Sequence, residues 1–277
     1  MKKFENILIA SDIDGTLLFQ NEIHPRNFEK LRYFCENGGH FALATGRNHM
    51  DIFAIMQNIG EYVNMPCILC NGSYLYDVEK DEILNPQYVN GEKLMEFVLR
   101  IRRDFMGKAG FRASFAEGFL VADDDTYILE RLRDFRLAHL AIKRPLSDFG
   151  KEKIFKAVCI SDPETLAKIR KIAEDEFSAY FTFTTSDAHI FEVQPLGVSK
   201  DFQFPYLKER YHGADIWCIG DYDNDLEMLK GADVAVCPAN AVDAVKAVAK
   251  YHVCHCKDGA VAEMIDLIES IIDAKGE

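Results

Sequence analysis

The sequence predicts an α/β fold, a doubly wound parallel sheet interrupted by an inserted α+β module. Three observations carry this. Near-continuous apolar runs alternate with helical segments at both ends of the chain, as strands buried on both faces of a parallel sheet require. The middle of the chain changes to short alternating strands that read as hairpins. Neither flanking half has enough strands for an ordinary sheet, so the two form one discontinuous domain, residues 1–83 and 195–277, around an insert at 84–194.

The first strand, ILIASDID, ends in an Asp-Gly turn. A helix from Pro25 to Asn37 follows, with proline in its first turn and Gly38-Gly39 as its stop. The strand HFALAT leads to Gly46, a helix runs from Met50 to Ile59, and the strand CILC ends at Asn71-Gly72. This rhythm implies right-handed βαβ units. The stretches SYLYD and EILNP then alternate. In the insert the predicted order is a helix from Gly91 to Phe105, a hairpin of FRASF and GFLVA, and a helix from Asp123 to Ala138. The strand IFKAVCI, a helix from Pro163 to Glu176 and a hairpin of YFTFTT and AHIFEV complete it. After Gly197 the parallel rhythm returns. Helices at Lys200–His212, Asn224–Lys230, Ala241–Lys250 and Ala260–Ala274 enclose the strands ADIWCIGD, ADVAVC and YHVCHC.

Composition narrows the function. A net charge of −13 with no basic cluster argues against nucleic-acid binding. An anionic substrate must therefore be attracted by a few local cations. No window approaches the ~18 apolar residues of a membrane span. The N-terminal MKKFENILIASDID lacks a small-residue cleavage site, so it is not read as a signal peptide, and a cytoplasmic protein is expected. The sequence leaves the oligomeric state open. Eight cysteines in such a chain are expected to be reduced. Cys67 and Cys70 form a CxxC, and His252, Cys254 and Cys256 alternate in YHVCHC so that on a strand they share one face. These four cysteines are read as packing residues without metal.

Four polar features stand out, three of them directly after a predicted buried strand. They are Asp12-Ile13-Asp14-Gly15-Thr16, Thr45-Gly46-Arg47, the run Gly220 to Asp225, and Lys200 just after the insert. In an open parallel sheet ligands bind beyond the carboxyl ends of the strands, so these distant segments can converge. Crowded carboxylates repel, and a hard cation relieves the conflict. Mg²⁺ takes oxygen ligands, commonly carboxylates together with substrate phosphate. Asp12, Asp14 and Asp221 suit that role.

SDIDGTL resembles the DxDGT signature of the haloacid dehalogenase superfamily, ATGR its second motif, GVSK its third and GDYDND its fourth. The order and spacing resemble the Cof-type, sugar-phosphate phosphatase branch, whose large C2-type cap lies between the second and third motifs. The resemblance spans essentially the whole core. It implies a Mg²⁺-dependent phosphatase in which Asp12 is the nucleophile and Asp14 the general acid and base. Asp12, the backbone carbonyl of Asp14 and Asp221 would hold the metal. Lys200, Thr45, the Asn224 side chain and the amides of Ile13 and Gly46 would hold the phosphoryl group, with Asp225 orienting Lys200 or a metal-bound water. Two departures are local: Asp201 follows Lys200 where the family has glycine, and CPAN at 237–240 replaces a glycine-containing stretch.

The implied substrate is a small phosphorylated metabolite, not a nucleic acid or a membrane. A phosphotransferase, such as a phosphosugar mutase, and a non-catalytic phospho-ligand module remain as alternatives on the same fold. Arg47 is expected either to reach the substrate or to pair with a carboxylate. The insert is expected to close as a lid, with Arg112, Ser114, Asp187 and His189 as specificity candidates. If the insert only excludes water, discrimination falls to Arg47 and Asn71.

Overall fold

The computed structural model describes residues 2–56, 58–134 and 137–276. Parts of two predicted helices, at residue 57 and at residues 135–136, lie outside the described residues. The first half of the core holds β1 (Ile7–Ser11), the ribbon β2 (Leu18–Phe19) and β3 (Glu22–Ile23), α1 (Pro25–Glu36), β4 (His40–Leu43) and α2 (His49–Ile55). Three antiparallel strands follow: β5 (Cys67–Leu69), β6 (Tyr74–Asp77) and β7 (Glu82–Leu84). β1 is buried from Leu8 to Ser11 because it lies inside the sheet with helices on both sides. α1 begins on the His24 side chain, which accepts from the Arg26 amide, with Pro25 at the first helical position.

In the insert lie α3 (Gly91–Phe105), β8 (Ala109–Phe115), β9 (Gly118–Ala122), α4 (Thr126–Asp134) and β10 (Ala141–Arg144). They are followed by β11 (Lys156–Ser161), α5 (Pro163–Phe177), β12 (Phe181–Asp187) and β13 (Ile190–Pro195). The second half of the core contributes α6 (Phe204–Arg210), β14 (Asp215–Ile219), α7 (Leu226–Gly231), β15 (Val234–Pro238), α8 (Asp243–Val248), β16 (Tyr251–Val253) and α9 (Ala260–Gly276).

The core sheet is parallel throughout, in the order β16-β15-β14-β1-β4. From β1 the chain goes first to β4 on one side and, after the insert, to β14 on the other. The order therefore reverses at β1, and the crevice beyond its carboxyl end is the place where such sheets bind ligands. β5 extends the sheet past β4 through one parallel bridge, Ala44 to Ile68. The insert's own sheet runs β10-β9-β8-β11-β13-β12. One of its faces packs α3 and α5 around Phe97, whose ring meets Phe111, Phe177 and Phe181.

Several boundaries differ from those read in the sequence. β10, unforeseen, adds a strand parallel to β9. α4 starts at Thr126 rather than Asp123, because the Asp125 carboxylate caps it by accepting from the Ile128 amide at 3.0 Å. Lys200 opens a 3₁₀ turn, Lys200–Gln203, and α6 begins only at Phe204, with proline in its first turn. YHVCHC is a strand only through Val253, so the expected shared face of His252, Cys254 and Cys256 does not form; Cys256 lies in a 3₁₀ turn, Cys256–Asp258. All eight cysteines are free thiols. Among the described residues no helix is long and apolar enough to cross a membrane.

The loop after β5 packs directly on the segment that leads to Lys200. Gly72 has φ +94°, and a Cβ there would stand 2.0 Å from the Ser199 carbonyl oxygen. The Gln203 side chain seals the contact by donating to the Gly72 carbonyl at 2.8 Å. Gly72→Ala is expected to lower the unfolding free energy by about 1–3 kcal/mol, the range for a residue forced into strained backbone. Urea denaturation measures this, and an unchanged midpoint would mean the approach can relax freely.

Candidate active site

Asp12 stands one residue beyond β1, and its amide donates to the Ile219 carbonyl at 2.9 Å, tying the end of β1 to the end of β14. Its carboxylate is buried. Lys200, fully buried, places Nζ 2.7 Å from Asp12 Oδ1 and 2.6 Å from Asp225 Oδ1. Asp225 Oδ2 accepts from the amides of Asp221 and Tyr222 at 3.0 and 3.2 Å, which folds the turn after β14 around it. Asp221 Oδ1 accepts from Thr16 Oγ1 at 2.9 Å. The first, third and fourth motif segments are thus joined through side chains.

Among the described residues, Asp12, Asp221 and Asp225 form the one group of acids, histidines or cysteines compact enough to hold a metal, with ligand atoms within 4.8 Å of one another. Cys67, Cys70, Cys254 and Cys256 take no part in it. Burial pushes the Asp12 carboxyl well above the usual carboxylate range against the pull of Lys200, and Asp225, Asp221 and Asp14 push the same way. Burial likewise raises Asp221 to about 6, with Asp225 next in effect. Burial disfavours the Lys200 ammonium, yet Asp12 and Asp225 outweigh it and hold the lysine charged. One cation among three close carboxylates leaves an excess of negative charge that a second cation would relieve. The donors are all carboxylate oxygens, which suits hard Mg²⁺. Both Asp225 oxygens are engaged by Lys200 and by amides, whereas Lys200 and Thr16 bond only the Oδ1 atoms of Asp12 and Asp221, so these two carboxylates each keep an oxygen that could meet a metal.

Asp14 is exposed, and its carboxylate takes a two-pronged grip from Arg47, at 2.8 Å to Nε and 3.0 Å to Nη2. Arg47 Nη1 also reaches Asp51 Oδ1 at 2.8 Å. Of the two expectations for Arg47, this structure has the carboxylate pair. Thr45 is buried, and its Oγ1 accepts from the Arg47 amide at 3.2 Å. The Ile13 carbonyl closes the first loop by accepting from the amides of Thr16, Leu17 and Leu18. Asn224 lies half-buried in the turn Asp223–Asp225. Cys70, Asn71 and Gly72 all have positive φ, at 49°, 54° and 94°. Cys70 and Asn71, two successive non-glycine residues in the left-handed region, are strained backbone of the kind found at functional sites.

The specificity candidates part company. Arg112 is half-buried on β8, its guanidinium 4.0 Å from the Phe119 ring centroid, and Ser114 is buried beside it. Asp187 and His189 are exposed at the β12–β13 turn and bond locally: the His189 amide donates to Asp187 Oδ1 at 2.8 Å, and His189 Nδ1 lies 3.1 Å from the Ser161 carbonyl. Sequence reading missed Lys156, Glu192, Gln194 and Asn240. Lys156 and Glu192 form a buried ion pair from two strands of the insert, and Lys156 also donates to the Gly46 carbonyl. Their signal was a charge inside an otherwise apolar strand. Asn240, in the departing CPAN stretch, donates to the Gly15 carbonyl at 2.7 Å and accepts from the Cys256 amide at 3.0 Å, bracing the first loop from behind.

Removing the central cation should steepen the fall of stability with rising pH that the raised Asp12 and Asp221 carboxyls already produce. Lys200→Met leaves Asp12 and Asp225 buried without it, a loss of about 3–5 kcal/mol for a broken buried pair. With a folded-state Asp12 pKa above its unfolded value, the native state binds more protons, so stability falls as pH rises. The variant should therefore lose more of its melting temperature between pH 5 and pH 8 than the wild type does. An equal loss in both proteins would refute the assignment of Lys200 as the balancing charge.

The comparisons with known proteins agree with this geometry. A family model of haloacid dehalogenase-like hydrolases matches residues 9–265. The chain is 25% identical to the 5-amino-6-(5-phospho-D-ribitylamino)uracil phosphatase YwtE of Bacillus subtilis, over 95% of this chain and 98% of that protein. It is 25% identical to the pyridoxal phosphate phosphatase YbhA of Escherichia coli, over 87% and 90% of the two chains. A HAD/COF-like hydrolase of Plasmodium vivax shares the fold with a TM-score of 0.82 at 21% identity, over 98% of this chain and 97% of that one. With four motif segments converging on one buried acidic crevice and a family match across most of its length, the chain belongs to the haloacid dehalogenase-like hydrolases, in their phosphatase branch.

Proposed function

We propose that the protein is a Mg²⁺-dependent phosphomonoesterase that hydrolyses a small phosphorylated metabolite through an aspartyl-phosphate on Asp12. The observation that carries this reading is the buried Asp12 at the reversal of strand order, held by Lys200 and facing Asp221. Residues 1–83 and 195–277 are the catalytic core in this reading, and 84–194 the cap that covers it. Asp12, the Asp14 carbonyl and Asp221 would hold Mg²⁺, which supplies charge neutralisation between the nucleophile and the phosphate. The names of the relatives, phosphatases of a ribitylaminouracil phosphate and of pyridoxal phosphate, support a small organic ester as substrate.

Lys200 engages Asp12 Oδ1, so Oδ2 is the oxygen left to attack phosphorus. The new O–P bond forms as the bond to the leaving oxygen breaks. Lys200, Thr45, Asn224 and the amides of Ile13 and Gly46 bind the phosphoryl oxygens, where charge spreads in the transition state. Asp225 positions Lys200. Asp14 gives a proton to the leaving oxygen, then takes one from the water that attacks the phosphoryl group and frees Asp12. Because Arg47 occupies both oxygens of Asp14, a leaving oxygen reaches Asp14 only once that pair opens. The proton step is therefore coupled to Arg47.

Phosphate release from p-nitrophenyl phosphate should require Mg²⁺, stop on chelation with EDTA, and vanish in a folded Asp12→Asn protein. Substantial turnover by that variant would remove Asp12 as nucleophile. Asp14→Asn should slow hydrolysis of an alkyl phosphate by about 10²-fold or more, as loss of a general acid does. The deficit should shrink for p-nitrophenyl phosphate, whose leaving group needs no proton. Equal losses for both esters would assign the acid to another group.

A further inference from the structure

The loop that follows β15, residues 238–242, is tied to both walls of the acidic crevice. From it the Asn240 side chain donates to the Gly15 carbonyl at 2.7 Å, and the Val242 amide donates to the Asp221 carbonyl at 3.0 Å. The loop is itself anchored on the segment after β16. The Cys256 amide donates to Asn240 Oδ1 at 3.0 Å, and the Ala239 amide donates to the Cys254 carbonyl at 3.3 Å. Because Oδ1 accepts from an amide, the Asn240 carboxamide has one orientation, with its NH₂ turned to Gly15.

Between the two walls the packing leaves little slack. Gly15 has φ +80°, and a Cβ there would stand 2.4 Å from Asp221 Oδ2. Thr16 Oγ1 donates to the other oxygen, Oδ1, at 2.9 Å. The Gly15 amide donates to the Leu18 carbonyl at 3.1 Å. In a trans peptide the C=O and N–H groups point opposite ways, so the Asp14 carbonyl, on that same peptide, faces away from the β2–β3 ribbon. The Asp14–Gly15 peptide is thus pinned at its amide by Leu18 and, one carbonyl further on, by Asn240. Thr16 links this loop to Asp221 through side chains. Asn240 fixes the backbone itself, on the frame that also holds the Asp221 carbonyl.

Divalent cations differ in the slack they accept. Mg²⁺ demands near-octahedral oxygens at about 2.0–2.1 Å, whereas Ca²⁺ takes more oxygens at about 2.3–2.6 Å in flexible arrangements. Their charges are equal, so attraction alone does not separate them; a braced frame does. We propose that Asn240 is a positioning residue that, through the Gly15 carbonyl, holds the Asp14 carbonyl and the Asp221 carboxylate at a fixed spacing that favours Mg²⁺ relative to Ca²⁺. The inference rests on the metal site of the phosphatase reading and deepens it, since Asn240 is not among the metal or phosphate ligands of that reading.

The test is competition of Mg²⁺ and of Ca²⁺ against Mn²⁺ bound to the full chain, read from the electron paramagnetic resonance of free Mn²⁺ with no ester present. Asn240→Ser and Asn240→Asp should each weaken Mg²⁺ by about 10- to 100-fold, the range for a lost outer-shell partner. Ca²⁺ should weaken far less, so the preference for Mg²⁺ over Ca²⁺ falls by about 10-fold or more. Asn240→Asp separates position from charge. Its added carboxylate would tighten both ions by attraction, yet it has no N–H for the Gly15 carbonyl, so Mg²⁺ should still weaken. Melting in EDTA shows whether each variant folds, and Asn240→Ser decides if Asn240→Asp does not. In turnover, the Mg²⁺ concentration for half-activation should rise in step with the dissociation constant, while KM for p-nitrophenyl phosphate at saturating Mg²⁺ stays unchanged. Equal weakening of the two ions, or none, overturns the proposal, as does a wild type that binds neither ion. If the preference falls but no ester is hydrolysed, the role of Asn240 stands and the phosphatase reading fails.

Discussion

A single buried ammonium organises this molecule. Lys200 lies between Asp12, which directly follows the first strand, and Asp225, in the turn after β14. Neither carboxylate tolerates burial beside the other without it. The same lysine follows the cap directly, so the chain returns from its insert at the point where the two core halves must be joined. Catalytic and structural demands coincide here: the groups that would handle phosphate are also the ones that make the crevice electrostatically tolerable.

Around that contact, each supporting element has a physical cause. The parallel strands place their polar termini at one edge, and the reversal of order at β1 opens a gap there. Asp225 spends both oxygens on neighbours, which rigidifies the fourth motif. Asn240 and Thr16 brace the first loop and Asp221. Arg47 links Asp14 to Asp51.

Much of this was legible in the sequence because a strand buried on both faces is written as an uninterrupted apolar run, and the polar residues that end it are conspicuous. Asp12, Thr45 and Asp221 were found that way. The edge strand β10, AIKR, has no such run, because it is half-exposed and only four residues long. Local alternation also misjudged YHVCHC, where the chain turns out of the sheet after Val253. Asp187 and His189 were chosen as hairpin residues, but a hairpin pattern does not say which end meets the core. Lys156 and Glu192 acquire meaning only when register sets them side by side.

The pairing of β1 with β14 has a consequence for synthesis. β1 emerges first and gains β4 early, yet its other edge, Ile7 to Ser11, pairs with a strand that follows the entire insert. Until then an apolar strand keeps one row of amides and carbonyls open, which is a template for pairing with another chain. Such long-range partners are also slow to find. The cap, continuous in sequence and with its own apolar cluster, is free to fold while the core waits. On the ribosome, therefore, the vulnerable interval is the time taken to translate the insert, and a longer insert would prolong the exposure of the strand that leads to Asp12.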